Sequence, residues 1–224
     1  EHYVCPGELI FGADSHTCSY GALGAFGTGV GCTDLLYGMV TGKSWVLVPE
    51  TVKFNLVGKL PEGVYARDLI LTIIGTIGAN GCNYQVMEFT GEGAKTLSIS
   101  ERMVLCNMAV EAGAKTGIFE PDEKAIEYLE AHGRKPEALF KRGPDAVYAR
   151  EYTFDLSKIR PVVAKPDFVD NLVPAEEVRG VKIDEAFLGS CNNGRIEDLR
   201  VGASIIKGSR RPSGLRKTTI TLNS

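Results

Sequence analysis

Asp14-Ser15-His16 directly follows the apolar run Leu9-Ile10-Phe11-Gly12-Ala13. An acid two residues from an imidazole, at the lip of a strand, can place an acid or a base in a cleft. The same triplet also makes an Asx-type turn with a surface histidine, and by itself it does not choose between the two. Glu88, in Met87-Glu88-Phe89-Thr90-Gly91, is a carboxylate near a strand end before a glycine turn. Such a group can orient a histidine or hold a water, or it can simply face solvent. Gly189-Ser190-Cys191-Asn192-Asn193-Gly194-Arg195 puts a cysteine where a strand turns into a helix. Backbone N–H groups at a helix start favour a thiolate, so Cys191 is a candidate nucleophile or metal ligand; the plain alternative is a buried cysteine at a tight turn. As a nucleophile it would want a base, and His16 is the histidine whose loop suits that role.

The glycine run Gly27-Thr28-Gly29-Val30-Gly31 invites a phosphate or dinucleotide reading. It lacks the G-x-G-x-x-G spacing, and Gly42-Lys43-Ser44 has no earlier glycine at Walker spacing. Small residues that let a helix pack closely account for it better.

The elements that must position these groups follow from periodicity. Short strands are expected over residues 8–13, 45–48, 51–57, 85–89 and 181–190. Helices are expected over 34–41, 65–75, 98–112, 122–131 and 195–207. In the second of these, Ala66, Leu69, Ile70, Ile73 and Ile74 share a face; Ser98 and Glu101 form a capping-box pattern. Residues 136–166 are charged and proline-rich, and 160–174 reads as a linker with the edge of another unit. After Gly208 the chain becomes basic and turn-rich, then β-branched from Thr218 to Leu222. A strand-forming end and a disordered or altered terminus both stay open there. Strands alternating with helices make the class α/β.

The 224 residues, 44% hydrophobic and 24% charged, suffice for a sizeable core. A net charge of -3 argues against a nucleic-acid binder, which draws on basic charge against phosphate. No apolar stretch is long enough to span a bilayer, and the first residues do not form a signal peptide. The six cysteines include no C-x-x-C pair, which points to reduced thiols and a cytoplasmic protein. The chain starts without Met and reads as the middle of a longer one.

Taken in order, Gly12-Ala13-Asp14-Ser15-His16-Thr17, the small-residue run to Gly31, residues 43–50, Met87-Glu88-Phe89, Cys106 to Ala114, and Gly189 to Arg200 closely resemble the aconitase superfamily. Within it, the similarity is greatest to the branch of isopropylmalate-isomerase and homoaconitase large subunits, and it covers residues 4–207. The resemblance implies aconitase-type α/β/α layered domains, incomplete at both ends: 1–49 as the end of a first domain, 50–165 as a second, 166–224 as the start of a third. It implies a hydro-lyase of leucine biosynthesis that isomerises 2-isopropylmalate to 3-isopropylmalate by dehydration and rehydration, or a homoaconitase acting on homocitrate. It implies a [4Fe-4S] cluster on three cysteines, with one iron left open as a Lewis acid for the substrate. Cys191 matches the first cluster ligand. His16 would hydrogen-bond the substrate hydroxyl, Glu88 would orient His16, and Asp14 would belong to the same network. Ser15, Asn193 and Arg195 would contact substrate. The family's proton-abstracting base is a serine on a swivelling domain, which in this branch is a separate small subunit.

The sequence departs from the family at several points. The usual Ser-Cys-Thr-Asn-Ser turn is Ser190-Cys191-Asn192-Asn193-Gly194 here, and the downstream C-x-x-C is missing. The expectation is therefore a chain that carries no intact cluster and is inactive alone. A catalytically silent assembly module that binds the small subunit is the main competing reading. An RNA-binding relative and a cysteine hydrolase stand further off, for want of basic charge in the one case and of a base near Cys191 in the other. The expected partners are the small subunit and a di- or tricarboxylic acid, with no nucleic acid and no membrane.

Overall fold

The computed structural model describes residues 3–136 and 139–208, and the backbone of 217–220. The basic turn-rich stretch over 209–216 and the last residues, 221–224, lie outside the described residues. The chain divides into two compact units, Glu1–Val173 and Pro174–Ser224.

The first unit opens with β1 (Leu9–Gly12), a 3₁₀ helix over Ser15–Leu23, β2 (Phe26–Gly29) and α1 (Cys32–Thr41). β1 and β2 pair in parallel, with Leu9 opposite Phe26 and Gly12 opposite Gly29. Parallel neighbours need a crossover, and the 3₁₀ helix supplies it. The glycine run explains how so short a crossover fits. A Cβ on Gly27 would lie 2.3 Å from the Thr17 carbonyl oxygen, and one on Gly29 would lie 2.7 Å from that of Asp14. Close packing of the 3₁₀ helix on β2 is thus what these glycines do.

Residues 45–48 do not form the expected strand. They are irregular, and Trp45, Leu47 and Val48 are exposed. An apolar run becomes a strand only beside an edge that can pair with it, and no described strand pairs with this one.

The chain continues through β3 (Thr51–Val57), α2 (Ala66–Ile77), β4 (Val86–Thr90), α3 (Glu92–Thr96), α4 (Ile99–Asn107), a 3₁₀ turn over Met108–Ala112, β5 (Thr116–Phe119), α5 (Glu123–Ala131) and β6 (Arg150–Asp155). These four strands make one parallel sheet in the order β5-β4-β3-β6. Val52, Phe54 and Leu56 alternate into the core from β3 and share one buried cluster with the apolar face of α2. Phe54 stacks on Tyr152 with centroids 5.5 Å apart, and Phe89 on Phe119 at 5.1 Å. Apolar burial of this kind is the main stabilising term of the unit.

α4 begins with the anticipated capping box: Ser98 Oγ accepts from Glu101 N, and Glu101 accepts from Ser98 N. Asp122 caps α5 and receives both terminal nitrogens of the buried Arg102, at 2.8 and 2.5 Å. Burial alone would push the Asp122 carboxyl up. The Arg102 hydrogen bonds and charge, with the Ala125 N–H, outweigh that and hold it below its ordinary value. β7 (Val162–Ala164) and β8 (Leu172–Pro174) form a small two-stranded sheet within the segment expected as linker.

The second unit contains a 3₁₀ turn over Ala175–Val178, β9 (Glu185–Leu188), α6 (Ser190–Asn193), α7 (Ile196–Ile206) and β10 (Lys217–Ile220). β10 runs parallel to β9, so residues 217–220 do form a strand. Among the described residues no helix is long and apolar enough to cross a membrane.

Candidate active site

β1 ends at Gly12, and the chain turns through Asp14 into the 3₁₀ helix. Asp14 is extended and caps that helix: its Oδ1 accepts from the His16 backbone N–H at 2.5 Å. The Thr17 hydroxyl donates to the Asp14 carbonyl at 2.6 Å. The His16 ring is held on one side only. Its Nδ1 lies 3.5 Å from Asp14 Oδ1 and 3.3 Å from Ser15 Oγ. Nε2 has no hydrogen-bond partner among the described residues, so it is available to a ligand. The turn is anchored behind the histidine, where Ser19 donates to the His16 carbonyl and Asn107 donates to Ser19. Asp14 thus makes the Asx turn and faces the imidazole at once. Ser15 lines a cavity of about 460 Å³ with Gly29, Gly31, Val110 and Lys115.

Glu88 sits in the middle of β4, opposite Lys53 of β3 and Ile118 of β5. It borders a cavity of about 340 Å³ together with Phe26, Phe140 and Arg142. Burial pushes its carboxyl above the ordinary value, against a hydrogen bond from Tyr148 and the charges of Arg142 and Lys53; Glu120 adds to the rise. The Tyr148 hydroxyl donates to Glu88 Oε1 at 3.1 Å. Glu88 and His16 share no hydrogen bond in this structure: the carboxylate is joined to Tyr148, and the imidazole to Ser15 and Asp14.

In the second unit β9 leads through Gly189 and Ser190 into α6. Ser190 has φ +73°, a left-handed conformation that costs a non-glycine residue about 1 kcal/mol or more and is concentrated at functional turns. Cys191 is exposed at this turn. Asn193 Nδ2 donates to Asp198 Oδ1 at 3.3 Å, and Arg195 donates from Nη1 to the Asn192 carbonyl at 3.0 Å. Asp198 also accepts from Arg195 N. Asn193 and Arg195 therefore brace the turn that presents Cys191.

The family pattern described as the aconitase family (aconitate hydratase) matches residues 1–179. The chain belongs to the aconitase family. It is 53% identical over 214 residues to the 3-isopropylmalate dehydratase large subunit of Caldicellulosiruptor saccharolyticus, covering 95% of this chain and 50% of that one. It is 52% identical over 207 residues to the corresponding subunit of Hydrogenobaculum sp., covering 92% and 49%. To the 3-isopropylmalate dehydratase large subunit 1 of Methanopyrus kandleri it is 49% identical over 218 residues, covering 97% and 52%. The chain spans about half the length of the curated relatives it matches.

The aconitase family implies a [4Fe-4S] cluster in the parent protein, and such clusters are held by cysteine thiolates. Among the described residues no group of three or more His, Cys, Asp or Glu side chains is arranged to hold a metal ion. Cys191 is a free, exposed thiol at the start of α6. The buried cysteines are poor candidates: burial pushes the Cys82 thiol up to about 11 and that of Cys106 well above its ordinary value. Cys18 is buried and donates to the carbonyls of Ser15 and Asn107. Cys5 is half-buried and Cys32, like Cys191, is exposed, but none of these thiols forms part of a three-ligand group among the described residues.

Tyr148, Lys53 and Arg142 around Glu88 were not anticipated from sequence. Tyr148 lies in the stretch read as charged and proline-rich. The alternation of Tyr152 and Phe154 just after it was the available sign of a strand, and hence of a sheet close by.

Proposed function

We propose that residues 1–224 are a portion of the large subunit of a hydro-lyase that interconverts 2-isopropylmalate and 3-isopropylmalate in leucine biosynthesis. Identity near 50% along more than nine-tenths of the chain to 3-isopropylmalate dehydratase large subunits carries this reading. The homoaconitase alternative has no such support among these relatives. Residues 1–49, 50–165 and 166–224 would be the end of one family domain, a second domain, and the start of a third.

The reaction removes a hydroxyl and a neighbouring carbon-bound hydrogen as water, then returns them with the positions exchanged. His16, with Nδ1 facing Asp14, would present Nε2 to the substrate hydroxyl; Ser15 would bind alongside. Asp14 would fix the ring while its carboxylate caps the helix. Glu88 would be the second acid–base group of the site, its proton state set by burial and by Tyr148. Cys191 would supply one thiolate to a [4Fe-4S] cluster, and the other two would come from outside residues 1–224. Asn193 and Arg195 would bind a substrate carboxylate from the braced turn. A small subunit bearing the swivelling domain would provide the base that takes the carbon-bound proton. The free thiols of all six cysteines suit a reducing cytoplasm. Residues 1–224 alone would be inactive.

The test is turnover of 2-isopropylmalate by the longer protein that contains this segment, assembled anaerobically with its small subunit. Formation of 3-isopropylmalate, lost by a factor of about 100 or more in His16→Ala, is the expected result. Turnover of homocitrate with no action on 2-isopropylmalate would overturn the substrate assignment. Full activity of His16→Ala would remove His16 from the site.

A further inference from the structure

Glu88 is half-buried on the more open face of the four-stranded sheet, where Lys53 stands directly opposite it on β3. Residues this close would ordinarily pair. Instead Lys53 Nζ binds Glu151 Oε2 of β6 at 2.9 Å and lies 5.0 Å from the centroid of the Tyr148 ring. The tyrosine thus spans the two: its ring rests on the ammonium, and its hydroxyl donates to Glu88 Oε1 at 3.1 Å. Tyr148 itself is fixed by the start of β6, where Ala149 N donates to the Thr51 carbonyl at 2.9 Å.

We propose that Tyr148 is a positioning residue that locks the Glu88 carboxylate in one orientation and favours its ionised form. The proposal rests on the placement of Glu88 in the site described above. The charged or titratable groups around Glu88 are Lys53 from β3, Glu120 after β5, and Arg142 and Tyr148 from the segment before β6. Arg142 and Lys53 act on Glu88 through charge, and Arg142 also donates a hydrogen bond to the Tyr148 hydroxyl. Tyr148 is neutral and acts through a directed hydrogen bond, which salt does not screen. A donor to a carboxylate stabilises its charged form, so removing it must raise the carboxyl midpoint further above its ordinary value.

The experiment is a ¹³C NMR titration of the Glu88 side-chain carboxyl in residues 1–224, assigned by its disappearance in Glu88→Gln. Tyr148→Phe keeps the ring over Lys53 and removes only the hydroxyl; an unchanged amide spectrum away from Glu88 checks the fold. The expected result is an upward shift of the midpoint by about one pH unit in Tyr148→Phe, of similar size at low and high salt. Arg142→Gln should also shift it upward, by an amount that shrinks as salt is added. An unchanged midpoint in Tyr148→Phe, or a shift that salt abolishes, would overturn the proposal. If the shift is found but Glu88→Gln leaves turnover of the longer protein intact, the hydrogen-bond role stands and the reading of Glu88 as an acid–base group falls.

Discussion

α1 and α2 are built by the same local grammar and end in different surroundings. Each has apolar residues at helical spacing, and each stops at a glycine with positive φ, Gly42 and Gly78. In α2, Leu69, Ile70, Ile73 and Ile74 are completely buried in the main core. In α1 no residue is buried, and Met39 and Val40 are 76% and 77% exposed. The difference lies in what stands opposite. α2 packs on α4 and shares one buried core with β3 and β4, whereas α1 follows a two-stranded parallel pair, and parallel sheets ordinarily carry cover on both faces. Helix formation is decided locally; burial, and with it most of the stabilisation, is decided by the partner.

That contrast can be broken by substitution. The largest effect should come from the sheet: Phe54→Ala removes a fully buried ring and should cost about 4 kcal/mol in denaturant unfolding. A loss under 1 kcal/mol would mean that the sheet is not the core. Asp122→Ala leaves the Arg102 guanidinium buried without its counter-ion and should cost about 3 kcal/mol. The folded Asp122 carboxyl titrates below its ordinary value. Its stabilisation is therefore complete above the unfolded value of about 3.9 and is lost as pH falls through the folded one. Asp122→Asn should flatten that acid limb of stability against pH.

Glu88 has the opposite sign. Its folded carboxyl sits above its ordinary value of 4.5, so the folded state holds a proton that the unfolded state releases. Stability should fall as pH rises through that window, and Glu88→Gln should remove the fall. A smaller effect belongs to the turn at the site: Asp14→Ala removes a helix cap and should cost about 1 kcal/mol, with Asp14→Asn retaining most of it. The smallest belongs to α1. Met39→Ala should change stability by no more than about 0.5 kcal/mol, and a large loss there would mean that α1 is packed against something in the chain as it stands.

The same distinction explains what could be read before the structure. α2, α4, α5 and β3 announce themselves because each buries one face and so writes a period into the sequence, whereas β4 is a short, almost wholly buried run. β2 is Phe-Gly-Thr-Gly, chosen for close backbone approach, and carries no alternation. β5 is short and buried; Gly117 within it backs onto the Cα of Cys106, where a Cβ would come within 2.9 Å. β6 does alternate Tyr152 and Phe154, but as an outer strand among charged residues its signal is diluted. Trp45 to Val48 shows the converse: an apolar run with β propensity remains irregular where no strand receives it. The helix expected over 98–112 is α-helical to Asn107 and continues as 3₁₀ over Met108–Ala112; at the change the Asn107 side chain donates to Ser19 and its carbonyl accepts from Cys18. Within the candidate site, the Asp14 turn was legible because its hydrogen bonds are made within three residues. Tyr148 was not, because it meets Glu88 only after the chain has crossed 60 residues and returned beside β3.

On the proposed function, Cys191 would be one of three cluster thiolates, the other two coming from outside residues 1–224. Iron and sulfide analysis after anaerobic reconstitution tests it most directly, on residues 1–224, on the longer protein, and on its Cys191→Ser variant. The account predicts no stable iron on residues 1–224, about four iron per longer chain, and loss of the cluster in Cys191→Ser. Stoichiometric iron on residues 1–224, or an unaltered cluster in Cys191→Ser, would contradict it.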